Sequence, residues 1–345
     1  MRRNVRWVAL AVLLLFILGG LAGFRHVSKI RFVAGSWVVR VPFGEAPDQV
    51  KQARGIDGRT YGPLTFAANG KNVVVADSYH QQLLYFSPGH VDRRPLEGAM
   101  IEDLSLNRQG QVLATDNRTL SVWLLNGDAK KRIVALTHWR GYTEALWKVN
   151  WTPKGNVLLE WIQFGRGSFA TRLQEYSAAG RLMRTMAESF VSPNDVRPLS
   201  LHPMSAAPIR NFQVAPNGSV YIEPQQMPSH TPTIRVYGAN GLYLRTVVIG
   251  TQGAARAMDF LGVDRRGWIY VALNITIPHE ARVLVVDNRG RTIANIPVQA
   301  VPVHAATYGQ VLPSGKLYLD QSSATHYRLR VYRPLFYKVW QWRGF

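Results

Sequence analysis

Two groups of side chains in this sequence have the types and spacing for site chemistry: four histidines in a shared register, and a row of acids. His80, His230, His279 and His326 each stand three or four residues before the apolar start of a short β-like run. Geometry opposes a common metal site. They fall in separate hairpins, which strand spacing of ~4.8 Å keeps of the order of 10 Å or more apart, whereas zinc holds its ligands within ~2 Å. The histidines therefore read as hydrogen-bonding residues that tie turns together. Glu102, Asp103, Asn211 and Asp259 are oxygen donors of the kind that Ca²⁺ or Mg²⁺ takes. Lys148 and Arg210 stand in or beside the same row, however, and would compete with a cation. Glu160, Glu223 and Asp320 share another place, at the ends of strands, where they either recognise a cationic ligand or are solvated strand ends.

Other chemistry is missing. There is no Gly-x-Ser-x-Gly elbow, no glycine-rich phosphate cradle before a helix and no His-Glu-x-x-His motif. The chain has no cysteine, which removes disulfides, thiolate metal sites, cysteine nucleophiles and an acylated lipoprotein cysteine.

The elements that must position these residues come from a repeat. Six copies of one pattern run through the chain: LTFAANGKNVVVAD (64–77), LSLNRQGQVLATD (104–116), VNWTPKGNVLLEW (149–161), FQVAPNGSVYIEP (212–224), LGVDRRGWIYVAL (261–273) and GQVLPSGKLYLDQ (309–321). Each is centred on a glycine: Gly70, Gly110, Gly155, Gly218, Gly267 and Gly315. Four places before each glycine stands an apolar residue, and two more short strands follow each copy. Period-2 alternation excludes helical repeats, and four strands per ~40–50 residues make a propeller blade. The expected fold is all-β: a six-bladed β-propeller over 60–345, with one N-terminal transmembrane or signal helix. Closure of the ring is expected from the C-terminal segment FYKVWQW (336–342) as outer strand of blade six. The alternating SWVVRVPFG (36–44) is the competing choice, and residues 24–59 otherwise serve as linker and extra strand.

The first copy, with Gly62-Pro63, Phe66-Ala67, Gly70 and Val74-Val75-Ala76-Asp77-Ser78, resembles the NHL-repeat propellers. More loosely, the chain resembles the gluconolactonase and strictosidine-synthase-like six-bladed group. That resemblance implies divalent-metal ligands eight residues before the blade glycine, where this chain has Glu102 and Asp259, with Asp103 and Asn211 one place along. Tyr61 stands where the group's glutamate is expected and Arg210 where its asparagine is, so a Ca²⁺- or Mg²⁺-dependent hydrolase or lyase is the second reading. The histidine ligands of peptidyl-amidating lyase propellers have no counterpart in this row.

Residues 1–6 (MRRNVR) are basic and 7–23 (WVALAVLLLFILGGLAG) uncharged. At ~1.5 Å per residue that run covers roughly 25 Å, the short end of a bilayer span. It reads as an anchor that leaves the body outside the membrane, with cleavage at Gly20-x-Ala22 and secretion as the rival. The formal charge is +20, from 41 Lys and Arg against 21 Asp and Glu. Arg2, Arg3, Arg6, Arg25, Lys29 and Arg31 supply part of it, and the remainder is still basic. Such a surface draws anionic partners. The basic and aromatic C-terminus is explained by an alternating outer strand, and nucleic acid is not expected.

Length variation gathers on one face. The loops between second and third strands (B–C) are long at 162–170, 225–232 and 274–280, and the crossover at about 186–209 holds Pro193, Pro198, Pro203 and Pro208. Long connections in compact domains are commonly functional. Asp195, Arg197, His202, His230 and His279 are the expected binding residues there, for a protein or an acidic polymer. The leading reading is a non-enzymatic, membrane-anchored, extracytoplasmic binding or scaffolding module with no cofactor.

Overall fold

The computed structural model describes residues 24–342 except 47, 56–57, 97, 128, 137–142, 166–167, 192–208, 225–230 and 251–256. The apolar segment 7–23 lies outside them. No helix among the described residues is long and apolar enough to cross a membrane.

Six four-stranded sheets follow one another along the chain. Blade one is Thr65–Ala68, Val73–Asp77, Gln82–Ser87 and His90–Pro95, its strands A to D. Blade two runs Ile101–Leu106, Val112–Asp116, Ser121–Asn126 and Ala129–Ala135. Blade three is longer: Thr143–Trp151, Val157–Gly165, Ser168–Tyr176 and Leu182–Val191. Blade four is Ile209–Val214, Val220–Pro224, Thr233–Tyr237 and Tyr243–Val248, and blade five Met258–Val263, Ile269–Leu273, Arg282–Val286 and Thr292–Pro297. Blade six takes Gly309–Val311, Leu317–Asp320 and His326–Trp342 from the C-terminal end.

The repeated glycines turn strand A into strand B. Gly110 has φ +87°, its N–H donates to Asn107 O at 3.2 Å, and the Asn107 N–H donates to Gln111 O at 3.0 Å. This is a type I turn closed by a left-handed residue, which only glycine adopts without strain. Blades three to six repeat the two bonds around Gly155, Gly218, Gly267 and Gly315.

Every strand B except that of blade three is buried along its whole length, including Val73–Asp77 and Ile269–Leu273. A blade packs a neighbour on each face, so its inner strands read as unbroken apolar runs. The core accordingly divides into clusters between successive blades. Leu83, Val74 and Ile101 join blade one to two; Leu113, Val122 and Val149 join two to three; Leu158, Leu173 and Phe212 join three to four. Ile234, Val236, Phe260 and Val271 join four to five.

Ring closure corrects the sequence expectation. The fourth strand of blade six is the N-terminal Phe24–Pro42, paired to His326–Trp342, and residues 336–342 simply prolong the latter strand. Val39 and Val41 enter the core with Leu329, Val331, Phe66 and Leu84 of blades six and one. Two residues before Val39, the Trp37 ring lies 5.0 Å from the Arg330 guanidinium and 5.6 Å from that of Arg328. Arg330 Nε also donates to Gly35 O at 3.1 Å. Both segments alternate; the N-terminal one prevails because its inward residues are small β-branched valines that fill the space between two blades. Residues 34–42, expected as an extra strand, are thus part of the blade-six sheet. Ala34–Arg333 forms one compact unit, and Phe24–Val33 with Pro334–Trp342 belongs to another. A second difference concerns blade three: the expected B–C insertion at 162–170 is mostly strand, since Val157–Gly165 and Ser168–Tyr176 pair to their ends.

Candidate functional site

The six strands A contact one another in ring order about the axis. The ring is joined between blades six and one by Ala68 N–H, which donates to Gln310 Oε1 at 2.6 Å. At the mouth where the crossovers enter strands A lies a cavity of about 280 Å³ lined by Tyr61, Glu102, Asp103, Trp147, Lys148, Arg210, Asn211, Glu223 and Asp259, among others. All four oxygen donors expected from the sequence are therefore brought together, and so are the two competing cations.

Bulges explain how adjacent residues reach one cavity. Strand pairing shifts between Ile101 and Leu104, between Leu146 and Lys148, and between Ile209 and Asn211. Regular pleating would send neighbours to opposite faces, whereas a bulge re-aims a side chain. Glu102, Trp147 and Arg210 are the residues so displaced, each eight places before its blade glycine.

The acids are tied to the protein itself. Asp103 accepts the Val149 N–H at 3.0 Å, meets the Thr65 hydroxyl at 3.2 Å and pairs with Lys148 Nζ at 3.7 Å. The Lys148 ammonium also reaches Thr307 Oγ1 at 3.5 Å. Arg210 donates from Nη1 to Glu223 at 3.1 Å and from Nη2 to Asp259 at 3.0 Å, joining blades four and five. Asn211 turns its amide onto Phe260 O at 2.9 Å, and Glu223 accepts the Phe260 N–H at 3.1 Å. These side chains act as staples between blades.

Burial nevertheless pushes the acids up. Glu102 is raised to about 7, first by burial and then by the Asp103 charge, against the opposing Lys148. Glu223 is also raised to about 7, because burial outweighs its guanidinium partner. Asp103 and Asp259 are raised for the same first reason. Glu160, opposite Lys148 in the ladder, is fully buried, makes no hydrogen bond with either oxygen and is raised well above the usual carboxylate range.

A divalent ion would meet resident cations in this arrangement. Among the described residues no group of three or more His, Asp or Glu side chains has metal-holding geometry. Of the four expected ligands, Asp103 and Asp259 already face an ammonium and a guanidinium, whereas Asn211 Oδ1 is buried and accepts no hydrogen bond.

Of the remaining sequence candidates, Asp195, Arg197, His202 and His230 lie outside the described residues. His279 is exposed in the B–C connection of blade five, with φ +64°. His80 ties its turn through Nδ1 to Asp77 at 2.8 Å, and His326 Nδ1 lies 2.9 Å from Thr325 Oγ1. Asp320 is buried against Ser322 and raised to about 6 by burial. The sequence reading missed His304, whose ring packs on Tyr61 at 5.7 Å beside the cavity, and Trp147 in its lining. The count of eight back from Gly155 would have found Trp147; nothing in the spacing marks His304.

No protein-family model matches this chain, and no curated protein sequence does. Among solved structures it is similar to a luciferin-regenerating enzyme, at 12% identity over 79% of this chain and 91% of that one, with a TM-score of 0.50. It is also similar to the calcium-binding protein regucalcin from Agrobacterium tumefaciens (14% identity, 78% and 90%, 0.49). A gluconolactonase from Xanthomonas campestris is a third (13%, 87% and 98%, 0.45). Likeness at such identities shows the fold alone, and the NHL-repeat resemblance stays one of pattern. The sheet topology shows an all-β, six-bladed propeller.

Proposed function

We propose that this chain is an extracytoplasmic propeller, tethered by residues 7–23, that binds or scaffolds a partner rather than catalysing a reaction. The observation that carries this is the double ion pair of Arg210 with Glu223 and Asp259, seconded by Lys148 at Asp103. Chemistry at this mouth in the second reading, a Ca²⁺- or Mg²⁺-dependent hydrolase or lyase, needs Glu102, Asp103, Asn211 and Asp259 as ligands. Here Asp103 and Asp259 are paired with cations of the chain's own strands, and a metal would have to displace both against their repulsion. The partner class is a protein or an anionic envelope polymer, which the basic balance of the chain favours.

Metal analysis of the full-length protein in detergent, after dialysis against Ca²⁺, Mg²⁺ or Zn²⁺, tests the site. The expected content is well below one ion per chain. Stoichiometric metal that is lost in both Glu102→Ala and Asp259→Ala overturns the binding reading. N-terminal sequencing tests the tether: the membrane fraction should carry the uncleaved segment, and a mature start near Gly23 removes the anchor.

A further inference from the structure

The opposite end of the axis, where the A–B turns lie, holds a larger cavity of about 890 Å³. Arg108, Lys154, Arg265 and Lys316 line it, and no aspartate or glutamate does. These four bases belong to four blades: two, three, five and six. Each stands one or two residues from its blade glycine, so the same left-handed turn presents them all to the mouth. Among the described residues no carboxylate pairs with any of the four. Arg266, next to Arg265, shows the contrast, because Asp264 takes it at 3.0 Å.

Polar side chains elsewhere in the lining are held in place. The Gln310 side chain accepts the Ala68 N–H at 2.6 Å, and Gln213 Nε2 donates to Leu261 O at 3.1 Å. Asn69 Nδ2 donates to Asn107 O at 3.0 Å, joining the turns of blades one and two. A rigid concave surface with four like charges at its edge focuses a positive field into the cavity. Its size falls in the range of small-ligand sites, ~300–1,000 Å³. Two arginines and two lysines around one rim suit groups that accept forked hydrogen bonds together with point charge.

We propose that this mouth binds a small polyanion carrying two or more phosphate or carboxylate groups. The site is separate from the acid-bearing mouth, and it moves the anionic partner from the B–C and crossover face to the A–B face. It stands whether or not the tether or the non-enzymatic reading does.

The test is calorimetry on the full-length protein in a nonionic detergent, with tripolyphosphate and citrate as probes at ~50 and ~200 mM salt. The variant carries Arg108→Gln, Lys154→Gln, Arg265→Gln and Lys316→Gln. A control carries Arg93→Gln, Lys130→Gln, Lys131→Gln and Arg132→Gln on the outer strands of blades one and two. The expected result is one anion per chain, bound more weakly as salt rises. Affinity should fall at least about tenfold in the variant, as loss of one or more charge-assisted bonds requires, and hold in the control. Preference between the probes assigns phosphate or carboxylate. Equal weakening in both variants, several anions per chain or no binding of either probe overturns the proposal.

Discussion

At the crossover mouth Asp103, Glu223 and Asp259 meet Lys148 and Arg210, whereas at the A–B mouth Arg108, Lys154, Arg265 and Lys316 meet no acid among the described residues. Both sets ring the same axis, yet only one is internally balanced. The difference follows from what carries the side chains. Those of the crossover mouth stand on strands near the axis, where desolvation penalises an unpaired charge by several kcal/mol. Those of the A–B mouth stand on turns: Arg108, Lys154 and Arg265 are exposed and Lys316 half-buried. Water and salt screen their repulsion over roughly 8–10 Å. Burial, not position on the axis, decides which groups must be paired or, as at Glu102 and Glu160, raised toward the neutral form, and the exposed bases stay available to a ligand.

The largest effect expected from breaking this contrast is at Asp103. Asp103→Ala removes the partner of Lys148 and orphans the Val149 N–H and the Thr65 hydroxyl. A loss of about 3 kcal/mol is expected from urea denaturation at pH 7. Asp103→Asn, which keeps an acceptor for Val149, should lose roughly half of that. The four glutamine substitutions at the A–B mouth together should change stability by no more than about 0.5 kcal/mol. If the two mouths respond alike, their charges do not differ in burial as described.

The sequence shows some of this and hides the rest for physical reasons. Six blades are legible because a turn that demands positive φ leaves a glycine at each of Gly70, Gly110, Gly155, Gly218, Gly267 and Gly315. Counting back from them finds Glu102 and Asp259, and the same count meets Arg210 as an intruder. Closure is not legible. Residues 36–44 and 336–342 share one period-2 pattern, and periodicity fixes a strand's faces without naming its neighbour. Nor is the bulge that turns Glu102 and Asp103, or Trp147 and Lys148, into one cavity, since an extra residue in a ladder depends on its partner strand. The A–B mouth is hidden for a different reason: the bases at Arg108, Lys154, Arg265 and Lys316 sit at unequal offsets in turns of nearly constant length. Only the ring brings them to one rim.

Arg210 supplies the finer test, because its effect must depend on pH. Glu223 is raised from 4.5 to about 7 in the folded chain even with the guanidinium beside it. A carboxyl raised on folding favours the native state fully below its unfolded value, and that contribution is lost as pH climbs through the folded one. For Glu223 the window is pH 4.5 to 7. Arg210→Ala leaves burial and the Asp259 charge opposed only by the Phe260 N–H and Lys148, so the carboxyl rises further and the loss extends to higher pH. At pH 5 Glu223 is largely protonated in the folded chain of variant and parent alike, and the part of the difference that comes from Glu223 disappears. At pH 8.5 the variant should be about 2 kcal/mol less stable by urea denaturation, below the ~3–5 kcal/mol of a fully buried pair because the Arg210 side chain is 44% exposed. Equal destabilisation at pH 5 and pH 8.5 would mean that Arg210 does not act through Glu223. The crossover mouth would then be no more charge-balanced than the A–B mouth.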